Sequence, residues 1–369
     1  MFTATMTAAP PYKDKLYTLE TVLNEGRMEA VFARMMRERF GRRILVNGIQ
    51  IEILRRRNQR CVLRYIIDAY MPGQLVKFKW RVIGKVYRAS RGERVFEGMK
   101  QLWENGFSRD NADGISIPEP LDFSSSLCML FQEEVPGLPL KALMRQSPQP
   151  EHFRQLARTL AKLHRCPIVP GAPFHVQEHL ARCHPTYGFL TLACPELSAE
   201  ADYIVKQAYA IDAAFSDVAF TPLHGDFHLG QVHLENGNVW LIDFDALSYG
   251  DPASDLGNLL VFLRAKARRY PEVQALIQAF LEEYFSLMNP RIAARIPLHE
   301  ALTHLRRACK VLRLQEDGWR NRVERMIKRG VATIDLMQET DRMNGKLLHF
   351  IESYATATDE EVDWDEYDS

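Results

Sequence analysis

The segment from His224 to Asp245 constrains the fold of this chain more than any other part of the sequence. Residues 232–241 are predicted to form two short apolar strands joined at Asn236-Gly237, a dipeptide that favours a hairpin turn because both positions tolerate a positive φ. A hairpin folds the chain back on itself, so we expect Asp243 to lie near the loop that contains Asp226 and Gln231. Hard cations such as Mg²⁺ prefer oxygen ligands. The segment therefore predicts an acidic pocket suited to Mg²⁺ and phosphate.

The order of the other patterns predicts an α+β fold with a small β-rich part followed by a larger helical part. Strand patterns cover 43–55, 60–69, 75–88 and 127–131, and a helical pattern covers 92–105. A hinge is predicted at 133–137, and later amphipathic helices cover 151–164, 253–270, 272–287, 298–315 and 319–338. We expect an N-terminal arm and helix at 1–40, an N-lobe at 41–134, a C-lobe at 135–350 and an acidic, disordered tail at 351–369.

Composition narrows the class of protein. The 369 residues include 47 basic and 47 acidic side chains, a balance that argues against a nucleic-acid or anionic-membrane partner. The six cysteines are scattered without a CxxC pair, which is typical of reduced thiols in a cytoplasmic protein. Neither a secretory signal in residues 1–20 nor an apolar run long enough to span a membrane is evident. The oligomeric state is not indicated.

Three motifs in order resemble one known family. Residues 224–231 resemble the HGDxHxxN catalytic loop of the aminoglycoside phosphotransferase and choline kinase family, 242–245 its IDFE or IDWE metal-binding strand, and 250–255 its GDPxxDLA segment. The resemblance covers roughly residues 40–340. It implies a bilobal, protein-kinase-like enzyme that uses ATP and Mg²⁺ to phosphorylate a hydroxyl of a small molecule. The HLGQ form of the loop also resembles maltokinase-like members, which act on sugars.

The resemblance also implies roles for individual residues of the C-terminal half. Asp226 would be the catalytic base, Gln231 and Asp243 the Mg²⁺ ligands, and Asp255 a structural carboxylate that supports the loop. The family usually has asparagine where Gln231 stands. Glutamine presents the same carbonyl one methylene further out, so metal ligation by Gln231 is retained as a prediction.

In the N-terminal half, Lys85 is the candidate for the lysine that contacts the nucleotide phosphates. Strand alternation places it on the face opposite to its neighbours Gly84 and Val86. Family resemblance implies a glutamate partner on the following helix. We prefer Glu97, and Glu93, four residues earlier on the same helix face, remains a competitor.

The sequence constrains less strongly which residues contact the edge of adenine and which class of molecule is the phosphoryl acceptor. Backbone groups at the hinge, from Gln132, Glu133 and Val135, are predicted to contact adenine, with ATP or GTP as the donor. Residues 291–330 hold eleven basic and four acidic side chains, either a solvated helix face or part of an acceptor site. A polycationic aminoglycoside is therefore disfavoured. A sugar or an amino alcohol is the preferred acceptor.

Three alternatives remain open. The chain could be a catalytically impaired, nucleotide-binding relative, with Gln231 as the critical change. It could be a protein kinase, although the turn at 55–60 lacks a glycine-rich loop and no HRD-type loop occurs. The histidines of 224–233, together with Asp226, could also form the site of a metallohydrolase.

Overall fold

The computed structural model describes residues 16–40, 44–57, 59–71, 77–88, 91–214 and 218–342. The chain divides into an N-terminal unit, Met1–Glu104 with Ile117–Val135, and a C-terminal unit, Asn105–Ser116 with Pro136–Ser369. This division differs from the predicted N-lobe of 41–134, because 105–116 belongs to the C-terminal unit and the helices before residue 41 belong to the N-terminal unit. Residues 1–15 of the predicted N-terminal arm and the acidic tail lie outside the described residues.

The first part of the chain begins with helices and continues mostly as strands. Its elements are α1 (Leu19–Val22), α2 (Glu25–Phe40), β1 (Leu45–Arg57), β2 (Arg60–Tyr70), β3 (Lys77–Tyr87), α3 (Arg91–Leu102), β4 (Ile115–Ser116), β5 (Pro120–Ser124) and β6 (Met129–Glu133).

Helices dominate from residue 138 onward, as predicted. The elements are β7 (Leu138–Pro139), α4 (Leu140–Gln146), α5 (Pro150–His164), β8 (Pro173–Phe174), α6 (Val176–Ala181), α7 (Tyr187–Ala193), α8 (Ser198–Ala214), β9 (Thr221–Leu223), β10 (Val232–Glu235), β11 (Asn238–Leu241), β12 (Ser248–Gly250), α9 (Ala253–Ala267), α10 (Glu272–Leu287), α11 (Ile296–Leu314) and α12 (Trp319–Arg342).

The N-terminal unit is built on a five-stranded antiparallel sheet in the order β1-β2-β3-β6-β5. Helix α2 packs on one face, where its Phe32 lies 5.0 Å from the ring of Tyr65 and 5.7 Å from that of Phe131. The Tyr65 hydroxyl donates a 2.8 Å hydrogen bond to the carbonyl of Val22, which satisfies this polar group inside the core. The face that α2 covers is therefore closed by aromatic packing.

The other face of β3 presents Lys85. Val82 and Val86 belong to the core beneath α2, so strand alternation directs Lys85 away from that helix, as predicted. Lys85 pairs with Leu130 of β6, in the middle of the sheet. Its side chain is only 5% exposed, and a lysine buried to this extent requires oxygen partners.

Gly84, next to Lys85, gives a test of packing in this sheet. A Cβ added there would overlap the Met129 side-chain methyl and lie 2.8 Å from the Tyr65 ring. We expect Gly84→Ala to lower the free energy of unfolding by about 1–3 kcal/mol, the usual cost of overpacking a core. Urea denaturation measures the change. The control is Gly48→Ala on β1, where nothing lies within 4 Å, and a loss of similar size there would contradict the packing explanation.

The C-terminal unit combines a helical core with two small sheets. Helices α6, α7, α8, α11 and α12 share one hydrophobic cluster, and α5 packs on α10. One sheet has the order β4-β11-β10-β7 and the other β8-β12-β9. Strands of both sheets lie next to or within segment 224–245. Strand β9 precedes this segment, β10 and β11 lie within it, and β12 follows it. None of the helices in the described part of the chain is long and apolar enough to cross a bilayer.

Candidate active site

The hairpin predicted at 232–241 is present. Strands β10 and β11 pair from Val232 with Leu241 to Glu235 with Asn238, and both turn residues, Asn236 and Gly237, have a positive φ. The N–H of Ile242 donates a 2.8 Å hydrogen bond to the carbonyl of Gln231, which extends the pairing by one step beyond the strands. Gln231 and the residue before Asp243 therefore lie side by side, as the sequence predicted.

Asp226 is presented to solvent by a loop whose neighbouring residues are buried. Within 222–227 it is the exposed residue, while Gly225 and Phe227 on either side of it are buried. Gly225 has φ +77°, and a Cβ there would collide with the carbonyl oxygen of Ala246. The loop can adopt this path because glycine tolerates a positive φ and close backbone contact. An accessible carboxylate thus lies on a tightly packed loop.

Asp255 fixes the backbone of this loop from the first turn of α9. Its two carboxylate oxygens accept hydrogen bonds from the N–H groups of His224 and Gly225, at 2.7 and 2.8 Å. Burial by itself raises the pKa of Asp255, but the hydrogen bond and charge of His164 and the charge of His224 outweigh it, so the pKa lies below the ordinary value. The structural role predicted for Asp255 is confirmed.

Two buried histidines complete this scaffold. Nε2 of His164 lies 3.2 Å from Asp255 and, because a carboxylate only accepts, donates to it, while Nδ1 lies 2.7 Å from the Tyr284 hydroxyl. His224 donates from Nε2 to the carbonyl of Ile242 at 2.8 Å. The loop is thereby attached to α5, α9 and the end of the hairpin.

Asp243 follows the hairpin in a left-handed backbone conformation, which is uncommon for residues other than glycine. Its φ and ψ are 68° and 59°, in the left-handed region that side chains other than glycine, asparagine and aspartate rarely adopt. A short 3₁₀ turn, Phe244–Ala246, begins immediately after it. Such strained positions cluster at functional sites. The conformation is consistent with a role for this carboxylate beyond packing.

His228 lies close to all three candidate residues. Burial lowers its pKa, while the carboxylates of Asp226 and Asp243 act in the opposite direction, so both charges are near its ring. The N–H of Gly230 donates to Nδ1 at 3.0 Å, and the Gln231 amide nitrogen lies 3.2 Å from Nε2. A neutral imidazole with Nδ1 as acceptor carries its proton on Nε2. Since an amide nitrogen only donates, this contact is a hydrogen bond when the Gln231 amide is turned with its carbonyl oxygen toward Nε2. In that orientation His228 holds the Gln231 side chain.

The side-chain oxygens of Asp243 and Gln231 are of the kind that Mg²⁺ prefers as ligands. Mg²⁺ is commonly held by one or two carboxylates together with substrate phosphates and water. Asp243 supplies a half-buried carboxylate. The carbonyl oxygen of Gln231 can supply a second oxygen ligand. Groups of three or more His, Cys, Asp or Glu side chains that could hold a metal are absent from the described residues.

The predicted residues of the N-terminal unit have distinct environments. Glu93 and Glu97 are both exposed on α3. The glutamate partner of Lys85 stays a prediction. At the hinge, the N–H of Glu133 donates to the carbonyl of Glu119 at 3.0 Å.

The remaining hinge residues differ in burial. Gln132 is 5% exposed and its side-chain oxygen has no hydrogen-bond partner in the described structure. Val135 follows the last residue of β6 by two positions and is half-buried. Contact of these residues with adenine stays a prediction.

Sequence reasoning missed the partners of Asp251, in the segment that resembles GDPxxDLA. Arg295 and His299 bind its carboxylate at 2.6–2.7 Å. Although burial alone raises the pKa of Asp251, the charges of His299 and Arg295 and their hydrogen bonds lower it to about 2. Arg182 was also missed; it lies 3.9 Å over the Phe174 ring and donates to the carbonyl of Gly225 at 3.3 Å. No local pattern marks these partners, because they are distant in sequence.

The fold is shared with solved phosphotransferases. A choline/ethanolamine kinase family protein from Mesorhizobium loti matches with a TM-score of 0.51 and 16% identity, over 83% of this chain and 92% of that one. The amicoumacin kinase hAmiN, solved with AMP-PNP, Ca²⁺ and Ami, matches with a TM-score of 0.52 and 15% identity, over 77% and 88%. Aminoglycoside phosphotransferase APH(4)-Ia matches with a TM-score of 0.53 and 15% identity, over 83% and 98%.

These likenesses establish a protein-kinase-like α+β fold with a β-sheet N-terminal region and a helical C-terminal region, as the sequence predicted. No curated protein matches the chain. The phosphotransferase enzyme family matches residues 78–295, a range that includes Lys85 and every candidate residue from Asp226 to Asp255. Since this range is more than half of the 369 residues, the chain belongs to the phosphotransferase enzyme family.

Proposed function

We propose that this protein transfers the γ-phosphoryl group of ATP to a hydroxyl of a small metabolite, with a sugar or an amino alcohol as the acceptor class. The observation that carries the proposal is the exposed Asp226 on a backbone fixed by Asp255, in a loop joined by the hairpin to Gln231 and Asp243. The solved relatives support ATP as the donor, because hAmiN was solved with AMP-PNP and a variant of APH(4)-Ia with ADP and hygromycin B.

Asp226 is assigned the role of catalytic base. A phosphoryl acceptor must lose its hydroxyl proton, and a carboxylate within hydrogen-bond reach of that hydroxyl can orient it and accept the proton. Burial of Gly225 and Phe227 holds the loop, while the side chain between them remains exposed for an acceptor. The loop therefore contributes mainly by positioning, which can account for a large part of a rate enhancement.

Asp243 and Gln231 are the residues proposed to hold Mg²⁺, and His228 orients the Gln231 amide. Mg²⁺, when bound, would neutralise charge on the nucleotide phosphates. In the N-terminal unit, Lys85 is proposed to contact these phosphates with Glu97 as its partner. Backbone groups of Gln132, Glu133 and Val135 are proposed for the adenine edge.

The test of this proposal is ADP formation from Mg·ATP in the presence of a panel of sugars, amino alcohols and nucleosides. We expect acceptor-dependent ADP release, with the phosphorylated product detected by mass spectrometry. Nucleotide-dependent thermal stabilisation without any ADP release would instead identify a binding protein that has lost turnover. Phosphate transfer to protein substrates alone would identify a protein kinase.

Loss of the Asp243 charge is expected to weaken Mg²⁺-dependent nucleotide binding by at least about tenfold, or about 1.4 kcal/mol. Asp243→Asn is the suitable change, because asparagine tolerates the left-handed backbone while removing the charge. Isothermal titration with AMP-PNP at several Mg²⁺ concentrations measures the effect. The control is Glu235→Gln at the exposed hairpin tip. Equal nucleotide affinity of Asp243→Asn and wild type would refute the assignment.

A further inference from the structure

Helix α9 holds the backbone on both sides of Asp226. The two residues before Asp226 donate their N–H groups to the Asp255 carboxylate. Asn258 donates from Nδ2 to the carbonyl of Phe227, the residue after Asp226, at 3.0 Å. Asp255 and Asn258 are three residues apart on α9, so their side chains lie on one face of the helix. Two side chains of the same helix therefore hold the loop before and after the candidate base.

Arg306 of α11 fixes which way round the Asn258 amide lies. Nη2 of Arg306 donates to Oδ1 of Asn258 at 2.6 Å, in a short charge-assisted hydrogen bond. A guanidinium only donates and a peptide carbonyl only accepts, so Oδ1 faces Arg306 and Nδ2 faces Phe227. With the amide reversed, two donors would meet at Arg306 and two acceptors at Phe227, around a side chain that is 4% exposed. Arg306 therefore stabilises the orientation in which Asn258 can hold the loop.

Helices α9 and α11 have other contacts that keep them together. At Gly257, next to Asn258, an added Cβ would lie 2.8 Å from backbone atoms of α11, so the two backbones approach closely there. Arg295 and His299 also bind Asp251, two residues before the first residue of α9. Because these contacts already join the helices, the hydrogen bond from α11 to Asn258 acts mainly on the orientation of the amide.

The carbonyl of Phe227 lies between two functional parts of the loop. It belongs to the residue after Asp226, and its peptide leads into His228, which lies 3.2 Å from the amide nitrogen of Gln231. Because a peptide is planar, holding this carbonyl restricts the direction in which the chain leaves Asp226 and enters His228. A displacement of about 1 Å at a reacting group can lower a rate by about 10²-fold. The hold on Phe227 therefore bears on catalysis.

We propose that Arg306 is a positioning residue for phosphoryl transfer, which acts through Asn258 on the loop that carries Asp226. This role rests on the proposed function and adds to it a residue that lies outside the catalytic motif, on another helix. Arg306 contacts neither substrate nor metal in this role. Its guanidinium orients the Asn258 amide, and that amide holds the carbonyl of Phe227. Loss of Arg306 is therefore expected to lower kcat and to leave nucleotide affinity unchanged.

Two substitutions at Arg306 test the first contact of this chain. Arg306→Lys retains a cationic donor for Oδ1 of Asn258, whereas Arg306→Met retains a long side chain without a donor. We expect Arg306→Met to lower kcat about tenfold or more, with KM for the acceptor and affinity for AMP-PNP within about twofold of wild type. Arg306→Lys should recover most of the loss. Arg313→Met, exposed on the same helix, is the matched control and should have the kcat of wild type.

Asn258→Asp tests the second contact. A carboxylate still accepts from Arg306 but cannot donate to the carbonyl of Phe227, so the contact between the helices is kept and the hold on the loop is lost. We expect kcat to fall at least as far as in Arg306→Met, and this variant also tests the inference if Arg306→Met does not fold. Asn321→Asp, the same change at an exposed position of α12, is the control and should have the kcat of wild type.

A double-mutant cycle separates action through Asn258 from an independent effect of Arg306. If Arg306 acts through Asn258, the double variant Arg306→Met/Asn258→Ala should have the kcat of Asn258→Ala within about twofold. Two losses that multiply in the double variant would overturn the inference, as would wild-type kcat in both Arg306→Met and Asn258→Asp.

Hydrogen exchange of the loop, followed by mass spectrometry, tests the same contacts without turnover. We expect peptides covering 224–231 to exchange faster in Arg306→Met than in wild type, and Arg306→Lys to restore the slower exchange. Equal exchange in wild type and Arg306→Met would overturn the role of Arg306 and leave phosphotransfer intact. Absence of ADP release by wild type with every acceptor, together with faster loop exchange in Arg306→Met, would overturn phosphotransfer and leave the hold of Arg306 on the loop in place.

Discussion

Asp226→Asn is expected to lower turnover by about 10²–10⁴-fold, the usual contribution of a positioned general base. Asparagine has nearly the shape of aspartate, but its amide cannot accept the acceptor's proton at neutral pH. Nucleotide affinity should change little, since Mg²⁺ is assigned to Asp243 and Gln231. The free energy of unfolding should stay within about 0.5 kcal/mol of wild type, because Asp226 is an exposed residue and contributes little to packing.

Steady-state ADP release and titration with AMP-PNP together check this result. Glu235→Gln provides the matched control, since it makes the same chemical change at an exposed position of the adjoining hairpin. Wild-type turnover by Asp226→Asn would remove the assignment of Asp226 as base. Equal loss of turnover in Glu235→Gln would show that the loss does not depend on the position of the carboxylate.

Asp255→Ala is expected to cost about 3–5 kcal/mol of unfolding free energy, the usual effect of breaking a buried charged network. Its removal leaves the N–H groups of His224 and Gly225 and the ring of His164 without their common acceptor. Chemical denaturation measures the loss. Asp317→Ala, at an exposed carboxylate in the turn after α11, should change stability by less than about 0.5 kcal/mol. A similarly small change at Asp255 would contradict its role in fixing the loop.

The buried carboxylates of Asp255 and Asp251 make the free energy of unfolding depend on pH. The pKa of Asp255 is depressed in the folded protein, as is that of Asp251, which lies at about 2. A depressed pKa contributes stability that is present above the unfolded value of about 4 and is lost as the pH falls through the folded value. We therefore expect wild type to lose unfolding free energy between about pH 4 and pH 2. Asp255→Ala should show a shallower pH dependence there.

Strong local patterns made much of the fold predictable. The hairpin followed from Asn236-Gly237, and its register placed Gln231 next to the residue before Asp243. Strands β1 to β3 and helices α5, α9, α10, α11 and α12 begin and end close to the positions that their apolar periodicity predicts. In each of these segments the signal is repeated over many residues, so single exceptions do not obscure it.

Features that depend on distant partners could not be predicted. Strands β8, β9 and β12 have two or three residues each and exist only because they pair with one another, so no periodicity marks them. Arg295 binds Asp251 from 44 positions away in sequence. Segment 105–116 groups with the C-terminal unit, where β4 pairs with β11, more than 100 residues later. Tertiary pairing of this kind leaves no local trace in the sequence.

In the candidate site, too, residues within a local motif could be predicted, whereas features that depend on distant partners could not. The loop motif identified Asp226, Gln231 and Asp243 because the residues that carry chemistry are concentrated in one short stretch. The choice between Glu93 and Glu97 could not be made, since they share a helix face and both are exposed. The basic excess of 291–330 was visible in the sequence, but the burial of Arg329 and the half-buried position of Arg307 were not.

Exposure of Asp226 between two buried neighbours separates the reacting group from the residues that hold the loop. Replacing the Asp226 carboxylate by an amide is therefore expected to remove nearly all turnover without unfolding the protein. Asp226→Asn, immobilised and loaded with Mg·AMP-PNP, could therefore serve as bait for the natural acceptor in a metabolite extract, with mass spectrometry of the eluate as readout. Asp255→Ala would be unsuitable for this purpose, because its loss of activity would come with loss of the binding surface itself.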